Sequence, residues 1–277
     1  MTTQVLVVGA DATGMSAASR ALRRAGRNGL TVMAFERGHH VSYSACGIPY
    51  WVAGDVSGPD ALIARSAAKH RANGIDVRLR TEITEIDLDK RTATAVPLDG
   101  DASYQVGFDE LVLATGAVPV RPRLPGADAP GVYGVQTLDD GAAVLAGLRD
   151  SPRGAVVVGG GYIGIEMAEA MVRRGLAVTV VDQAAEPMST LDPDMGALVR
   201  KAMVGMGIEV LTDTRVTGFE TSRGGRVSAV ATRDGTLPAE VVLLGLGVRP
   251  NTELARAVGL PLGEHGGLLT DLQMRVP

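Results

Sequence analysis

The pattern of apolar and polar positions repeats along the chain. Val5–Val8 is a short apolar run that ends in a glycine-bracketed turn, Gly9 to Gly14. Ala155–Val158 is a second such run, ending in Gly159 to Gly164, so the two turns stand 150 residues apart. Each turn leads into an Ala-rich stretch with apolar residues at helical spacing, then into another apolar run closed by an acid. Those runs are Leu30–Glu36 and Leu176–Asp182. The spacing predicts strand, tight turn, helix and strand, twice over. A further echo closes each copy: Leu111–Pro119 and Val242–Pro250 are buried-strand runs stopped by glycine and proline.

Between these elements lie segments of a different period. Ile83–Leu88, Thr92–Val96 and Tyr104–Phe108 alternate apolar and polar residues and predict a β-meander within Ile75–Phe108. Ile208–Arg233, with a turn at Gly224-Gly225, predicts a similar insert in the second copy. Pro119–Pro130 holds four prolines and reads as a linker. The expected fold is therefore α/β, with two homologous units, each a parallel sheet interrupted by a meander. The expected boundaries are 1–118 and 119–250, with 251–277 returning to the first unit.

Composition narrows the function. The chain of 277 residues is 45% hydrophobic and 21% charged, which suits a soluble globular protein and excludes a disordered one. A net charge of −4 gives no reason to expect nucleic acid. No apolar run reaches the roughly 18 residues of a membrane span, and no secretory signal opens the chain. A single cysteine, Cys46, cannot form an internal disulfide, so a cytoplasmic setting is expected. No metal-ligand cluster stands out.

The glycine turns carry the first chemistry. Gly159-x-Gly161-x-x-Gly164 follows a strand and opens a helix. The first glycine permits the tight turn, the second lets a pyrophosphate approach the backbone, and the third lets helix and strand pack closely. The free N–H groups of the helix then face the phosphates. Asp182 ends the second strand, placed to accept from a ribose 2′-hydroxyl. It would repel a 2′-phosphate, and no arginine occurs in Gln183–Leu191, so NADH is expected over NADPH. The first turn is less regular: Asp11 stands where the middle glycine belongs, a poor neighbour for a pyrophosphate unless its side chain points away. The repeat and Glu36 still argue for a second dinucleotide, with a degenerate non-binding copy as the alternative.

Cys46 sits in S-Y-S-A-C-G-I-P-Y, Ser42–Tyr50, shortly after Glu36. If the first nucleotide is FAD, this segment runs from the ribose toward the isoalloxazine. A thiolate there could donate charge to the flavin, and a following helix N-terminus would lower its pKa. An inert buried thiol fits the spacing equally well.

Taken together, Gly9–Gly14, Glu36, S-Y-S-A-C-G-I-P-Y, L-A-T-G-A and G-G-G-Y-I-G-I-E resemble the FAD-dependent pyridine nucleotide-disulfide oxidoreductases. Within that family the chain is most similar to the single-cysteine branch of coenzyme A-disulfide reductases and related NADH oxidases and peroxidases. The resemblance implies two Rossmann-like three-layer (β/β/α) domains binding FAD and NAD(P)H. It implies that Cys46 cycles between thiolate and a mixed disulfide with a CoA-like substrate, a small disulfide or persulfide. It makes Tyr162 an aromatic gate over the flavin and Glu166 a helix acid near the nicotinamide. Cofactor contacts would come from Gly9, Asp11, Ala12, Gly14, Glu36, Arg37, Ile83, Ala114, Thr115 and Gly116, and from Gly159, Gly161, Tyr162, Ile163, Gly164, Asp182 and Gly247. Ser16, Arg20 and Arg23 share one helix face, which with Ser42 would contact the CoA-like substrate.

Departures from the family pattern also matter. Ala45 stands where CoA reductases often carry Asn, which puts the disulfide substrate in question. Ala12 stands where oxidases and peroxidases tend to carry His, which argues against efficient reduction of peroxide or dioxygen. His39 and His40 read as surface turn residues. The family's T-D-x-x-M-R run is matched by Thr270–Arg275, and the sequence ends at Pro277. The expectation is a C-terminally truncated chain lacking the second FAD segment and the dimerisation domain, with a homodimer only for a longer version. Rival expectations are an NADH oxidase or peroxidase, a ferredoxin- or rubredoxin-type reductase, and a non-catalytic nucleotide-binding fragment.

Overall fold

The computed structural model describes residues 2–26 and 29–277. In chain order the first part holds β1 (Thr3–Val8), α1 (Ala12–Ala25), β2 (Leu30–Phe35), α2 (Ile48–Ala53), α3 (Ala67–Ala72), β3 (Ile75–Arg78), β4 (Thr81–Asp87), β5 (Thr92–Pro97), β6 (Tyr104–Gly107), β7 (Glu110–Leu113) and β8 (Ala117–Pro119). The remainder holds β9 (Val132–Gly134), α4 (Leu138–Gly147), β10 (Gly154–Val158), α5 (Tyr162–Arg173), β11 (Ala177–Val181), α6 (Pro193–Gly205), β12 (Glu209–Leu211), β13 (Val216–Thr221), β14 (Val227–Thr232), β15 (Thr236–Pro238), β16 (Val241–Leu244), β17 (Val248–Pro250) and α7 (Glu253–Ala257).

The chain divides into two compact units. The first comprises the residues up to Ser44, Leu62–Val118 and Arg249–Pro277; the second comprises Ala45–Ala61 and Pro119–Val248. The first unit has a parallel sheet of order β3-β2-β1-β7 and an antiparallel meander β4-β5-β6. Strand alternation sends Val5 and Val7 into one core, with Met15 and Ala18 of α1. It sends Leu6 and Val8 into another, with Ile83, Ile86, Ala93 and Val106 of the meander. The sheet is buried on both faces, which is why its strands read as continuous apolar runs.

The second unit repeats the plan with one more strand. Its parallel sheet has order β12-β11-β10-β16-β9, and its meander is β13-β14-β15. Val156 and Val158 pack toward Phe219, Val227 and Val230 of the meander. The residues at the start of each predicted insert, Ile75 and Glu209–Leu211, extend the parallel sheets, so the meanders proper begin later than the sequence period suggested.

Two expectations change. Ala45–Ala61 belongs to the second unit, not to an unbroken 1–118 domain. The cause is the packing of α2: a Cβ on Gly141 of α4 would lie 2.9 Å from the Trp51 ring, and Arg174 at the end of α5 donates to the Val52 carbonyl at 2.5 Å. The proline-rich linker is not a free tether: its Ala127 is buried, and its other residues are partly buried or exposed. Leu124, Ala127 and Ala129 pack in the meander-side cluster, and the Pro125 carbonyl accepts from Phe219 N–H at 2.8 Å.

Candidate functional site

In each unit the crevice for a ligand lies at the carboxyl ends of the strands where their order reverses, after β1 and β7 in the first and after β10 and β16 in the second. The glycines there are dictated by space. Gly9 has φ +95°, and a Cβ on it would lie 2.2 Å from the Ala114 carbonyl oxygen. Gly159 has φ +102°, with the Gly245 oxygen 2.5 Å from such a Cβ. A Cβ on Gly14 or Gly164 would come 1.9 Å from the oxygen of Gly9 or Gly159 respectively.

The two strand-end acids hold these turns by the same hydrogen bonds. Glu36 accepts from Ala10 N–H and Gly38 N–H, each at 2.9 Å. Asp182 accepts from Gly160 N–H at 2.5 Å and Ala184 N–H at 2.8 Å. Both carboxylates thus stand beside the turn that would hold a pyrophosphate, and each oxygen keeps a lone pair for a ribose hydroxyl. Arg37 forms an ion pair with Glu82 at 3.9 Å. Gly161, the middle glycine, is the N-cap of α5, and a Cβ on it would meet only the Gly245 oxygen, at 3.9 Å.

Asp11 is turned aside from the first turn. Its carboxylate accepts from Tyr43 N–H at 3.3 Å, and burial raises its pKa despite the backbone N–H groups that face it. Ala12 and the helix face of Ser16, Arg20 and Arg23 are exposed. The Ala114-Thr115-Gly116 turn is tied down by Asn251, a residue that no sequence pattern singles out. Thr115 Oγ1 donates to the Asn251 carbonyl at 2.5 Å, and Asn251 N–H donates to the Gly116 carbonyl at 2.9 Å. Ile83 is buried in the meander-side core, so its side chain serves packing. Asp271, in the matched Thr270–Arg275 run, accepts from Gln273 and Arg275 N–H and from the Arg275 side chain, and these bonds lower its pKa.

Ser42 adopts a left-handed conformation, φ 50°, and its hydroxyl lies 2.9 Å from Nε2 of His70. His70 is buried on α3 with no partner for Nδ1 among the described residues, and burial followed by the charge of Arg65 lowers its pKa. The sequence held no signal for this pair, because 28 residues separate them.

Cys46 lies in a single 3-10 turn, Ala45–Gly47, immediately before the six-residue α2, and its side chain is exposed. It is therefore not a packed core thiol. Because α2 packs on α5, the cysteine segment is carried by the unit that holds the second glycine turn. Arg173 of α5 pairs with Asp55 just past α2 at 2.5 Å. Tyr162, the first residue of α5, is 63% exposed, and Ile163 beside it is also exposed. Glu166, one turn on, is partly buried; burial and then the neighbouring Glu169 raise its pKa. Gly247 has φ +81° in the turn after β16.

A doubled βαβ scaffold with two glycine turns, each tied to a strand-end acid, is the architecture of a dinucleotide-binding protein. The pyridine nucleotide-disulphide oxidoreductase family model matches residues 3–277, and the chain belongs to that family. It is 32% identical over 267 residues to an NADH oxidase of Methanocaldococcus jannaschii, covering 94% of this chain and 58% of that protein. It is 33% identical over 281 residues to an NAD(P)H coenzyme A polysulfide/persulfide reductase of Pyrococcus horikoshii, covering 99% and 60%. Among solved structures it is similar to reduced Bacillus anthracis CoADR-RHD, with a TM-score of 0.93 and 29% identity, covering 100% of this chain and 49% of that one. An NAD-dependent persulfide reductase from A. fulgidus also has a TM-score of 0.93, at 34% identity, covering 99% and 50%. The chain thus spans about half to three-fifths of these relatives' length. No helix among the described residues is long and apolar enough to cross a membrane.

Proposed function

We propose that the protein is an FAD-linked NAD(P)H oxidoreductase that reduces a small disulfide or persulfide of the CoA type through Cys46. The observation that carries this reading is the exposed cysteine in the turn that leads into α2, a helix packed against α5, in a unit whose glycine turn and strand acid fit a pyridine dinucleotide. The two turns fit the two groups: each has a glycine whose Cβ would strike backbone, and each has an acid free to accept from a ribose. Bound FAD supplies the relay that takes a hydride from the nicotinamide and passes an electron pair to sulfur. The chain's own residues do the rest. Cys46, as thiolate, attacks the substrate disulfide, expels one thiolate and forms a mixed disulfide. Two electrons then cleave that bond, and a proton completes the second thiol product. Overall, NADH, a proton and RSSR′ become NAD+, RSH and R′SH.

Ser42, Ser16, Arg20 and Arg23 supply hydroxyls and guanidiniums suited to the phosphates of a CoA-like substrate. The exposed Tyr162 covers the entrance of the nicotinamide. Glu166, one turn along α5 from Tyr162, would meet its carboxamide. A lone cysteine working as a thiolate suits the reducing cytoplasm. A homodimer is proposed only for a longer version of the chain.

The test is Cys46→Ser in FAD-saturated protein. NADH-driven flavin reduction should persist while reduction of CoA disulfide falls at least a hundredfold. Disulfide reduction at the unmutated rate would remove Cys46 from the chemistry and favour an electron-transfer reductase.

A further inference from the structure

The second unit contains a cavity of about 540 Å³ lined by Gln183, Ala184, Asp213, Arg215 and Arg233. It begins at the two residues that follow Asp182. If the pyrophosphate rests on the turn at Gly159–Gly164 and the ribose meets Asp182, the adenine and any ribose substituent extend into this cavity. That placement rests on the dinucleotide reading proposed above.

The lining carries two cations from outside the strand-end segment. Arg215 precedes β13 and Arg233 follows β14, and Arg233 N–H donates to the Arg215 carbonyl at 3.2 Å, so the two residues sit side by side at the mouth of the hairpin. Both are exposed, and neither guanidinium has a hydrogen-bond or ion-pair partner among the described residues. The first unit is different. There Arg80 pairs with Asp99 at 3.2 Å and Arg37 with Glu82 at 3.9 Å. Two unpaired guanidiniums at a nucleotide cavity are the donors a phosphate monoester takes up, because the planar fork matches its oxygens.

We infer that Arg215 and Arg233 receive the 2′-phosphate of NADPH, so that the second unit accepts NADPH about as well as NADH. Asp182 alone would discriminate against the phosphate. The cavity lining holds one acid, Asp213, against two arginines, and Asp182 precedes the lining residues Gln183 and Ala184. Asp182 is also held toward the turn by Gly160 and Ala184 N–H. The preference for NADH expected from the strand-end segment weighs that acid without these cations.

Calorimetric titration of the FAD-saturated protein with NADH and NADPH, with no turnover required, tests this. The unmutated chain should bind the two within about fivefold of each other. The exposed double variant Arg215→Ala/Arg233→Ala should weaken NADPH at least tenfold and NADH less than threefold. Raising the salt should narrow the difference between the unmutated and variant proteins for NADPH alone. A tenfold or greater preference for NADH in the unmutated chain, or equal losses for both nucleotides in the variant, would overturn the inference and leave the dinucleotide reading standing. Binding of neither nucleotide would overturn both.

Discussion

Replacing Asp182 by Asn tests whether the strand-end acid serves the protein before any nucleotide arrives. The carboxylate accepts from Gly160 N–H and Ala184 N–H at once. An amide offers one oxygen and one NH2, so one of those backbone donors meets another donor. The lost bond is charge-assisted, and such bonds contribute about 1.5–3 kcal/mol each. With a urea m-value of about 2 kcal/mol per M, the second unit should unfold at a urea concentration lower by about 1 M. The chain's one tryptophan, Trp51, is buried in that unit, so its fluorescence reports this transition directly. Nucleotide binding should also weaken, because the turn is less ordered and the ribose acceptor is uncharged. A loss of 1.4–2.8 kcal/mol corresponds to about tenfold to hundredfold in NADH affinity. An unchanged urea midpoint with weakened NADH would show that Asp182 is only a ligand contact. If both quantities stay unchanged, neither role survives.

Gly14→Ala would place a methyl 1.9 Å from the Gly9 carbonyl oxygen, a backbone atom that cannot swing aside. Helix α1 or the turn must retreat by about 1 Å, and overpacking of this kind costs about 1–3 kcal/mol; FAD content after purification should fall at least tenfold, and normal flavin loading would refute the close-packing argument. His70 has a pKa depressed by burial and by Arg65, so the folded chain resists a proton that the unfolded chain takes up below about pH 6.5. Stability should therefore be full above that pH and decline as the pH falls toward the depressed value. His70→Phe should flatten this part of the melting-temperature profile between pH 7 and 5, and an unchanged slope would show that other groups cause the decline.

Much of the scaffold is local, and the sequence determined it. A parallel strand buried on both faces must be a continuous apolar run, and a turn that brings Gly9 against the Ala114 carbonyl admits no side chain. Those demands fall on consecutive residues, so Val5–Gly14 and Ala155–Gly164 announced the doubled fold, the dinucleotide turns and the strand-end acids. The alternation in Thr92–Val96 and Tyr104–Phe108 announced a meander for the same reason. Where contacts join distant segments, only the tertiary structure decided. The pattern around Cys46 continues smoothly from β2, yet α2 finds its apolar partners in Gly141 and α5, and the cysteine segment leaves the first unit. Asn251 lies 136 residues from Thr115, and His70 lies 28 from Ser42. Arg215 and Arg233 reach the cavity beside Asp182 only because β13 and β14 pair in antiparallel register. No periodicity along a chain encodes such meetings, because they are set by which surfaces remain apolar or unpaired once the local elements have formed.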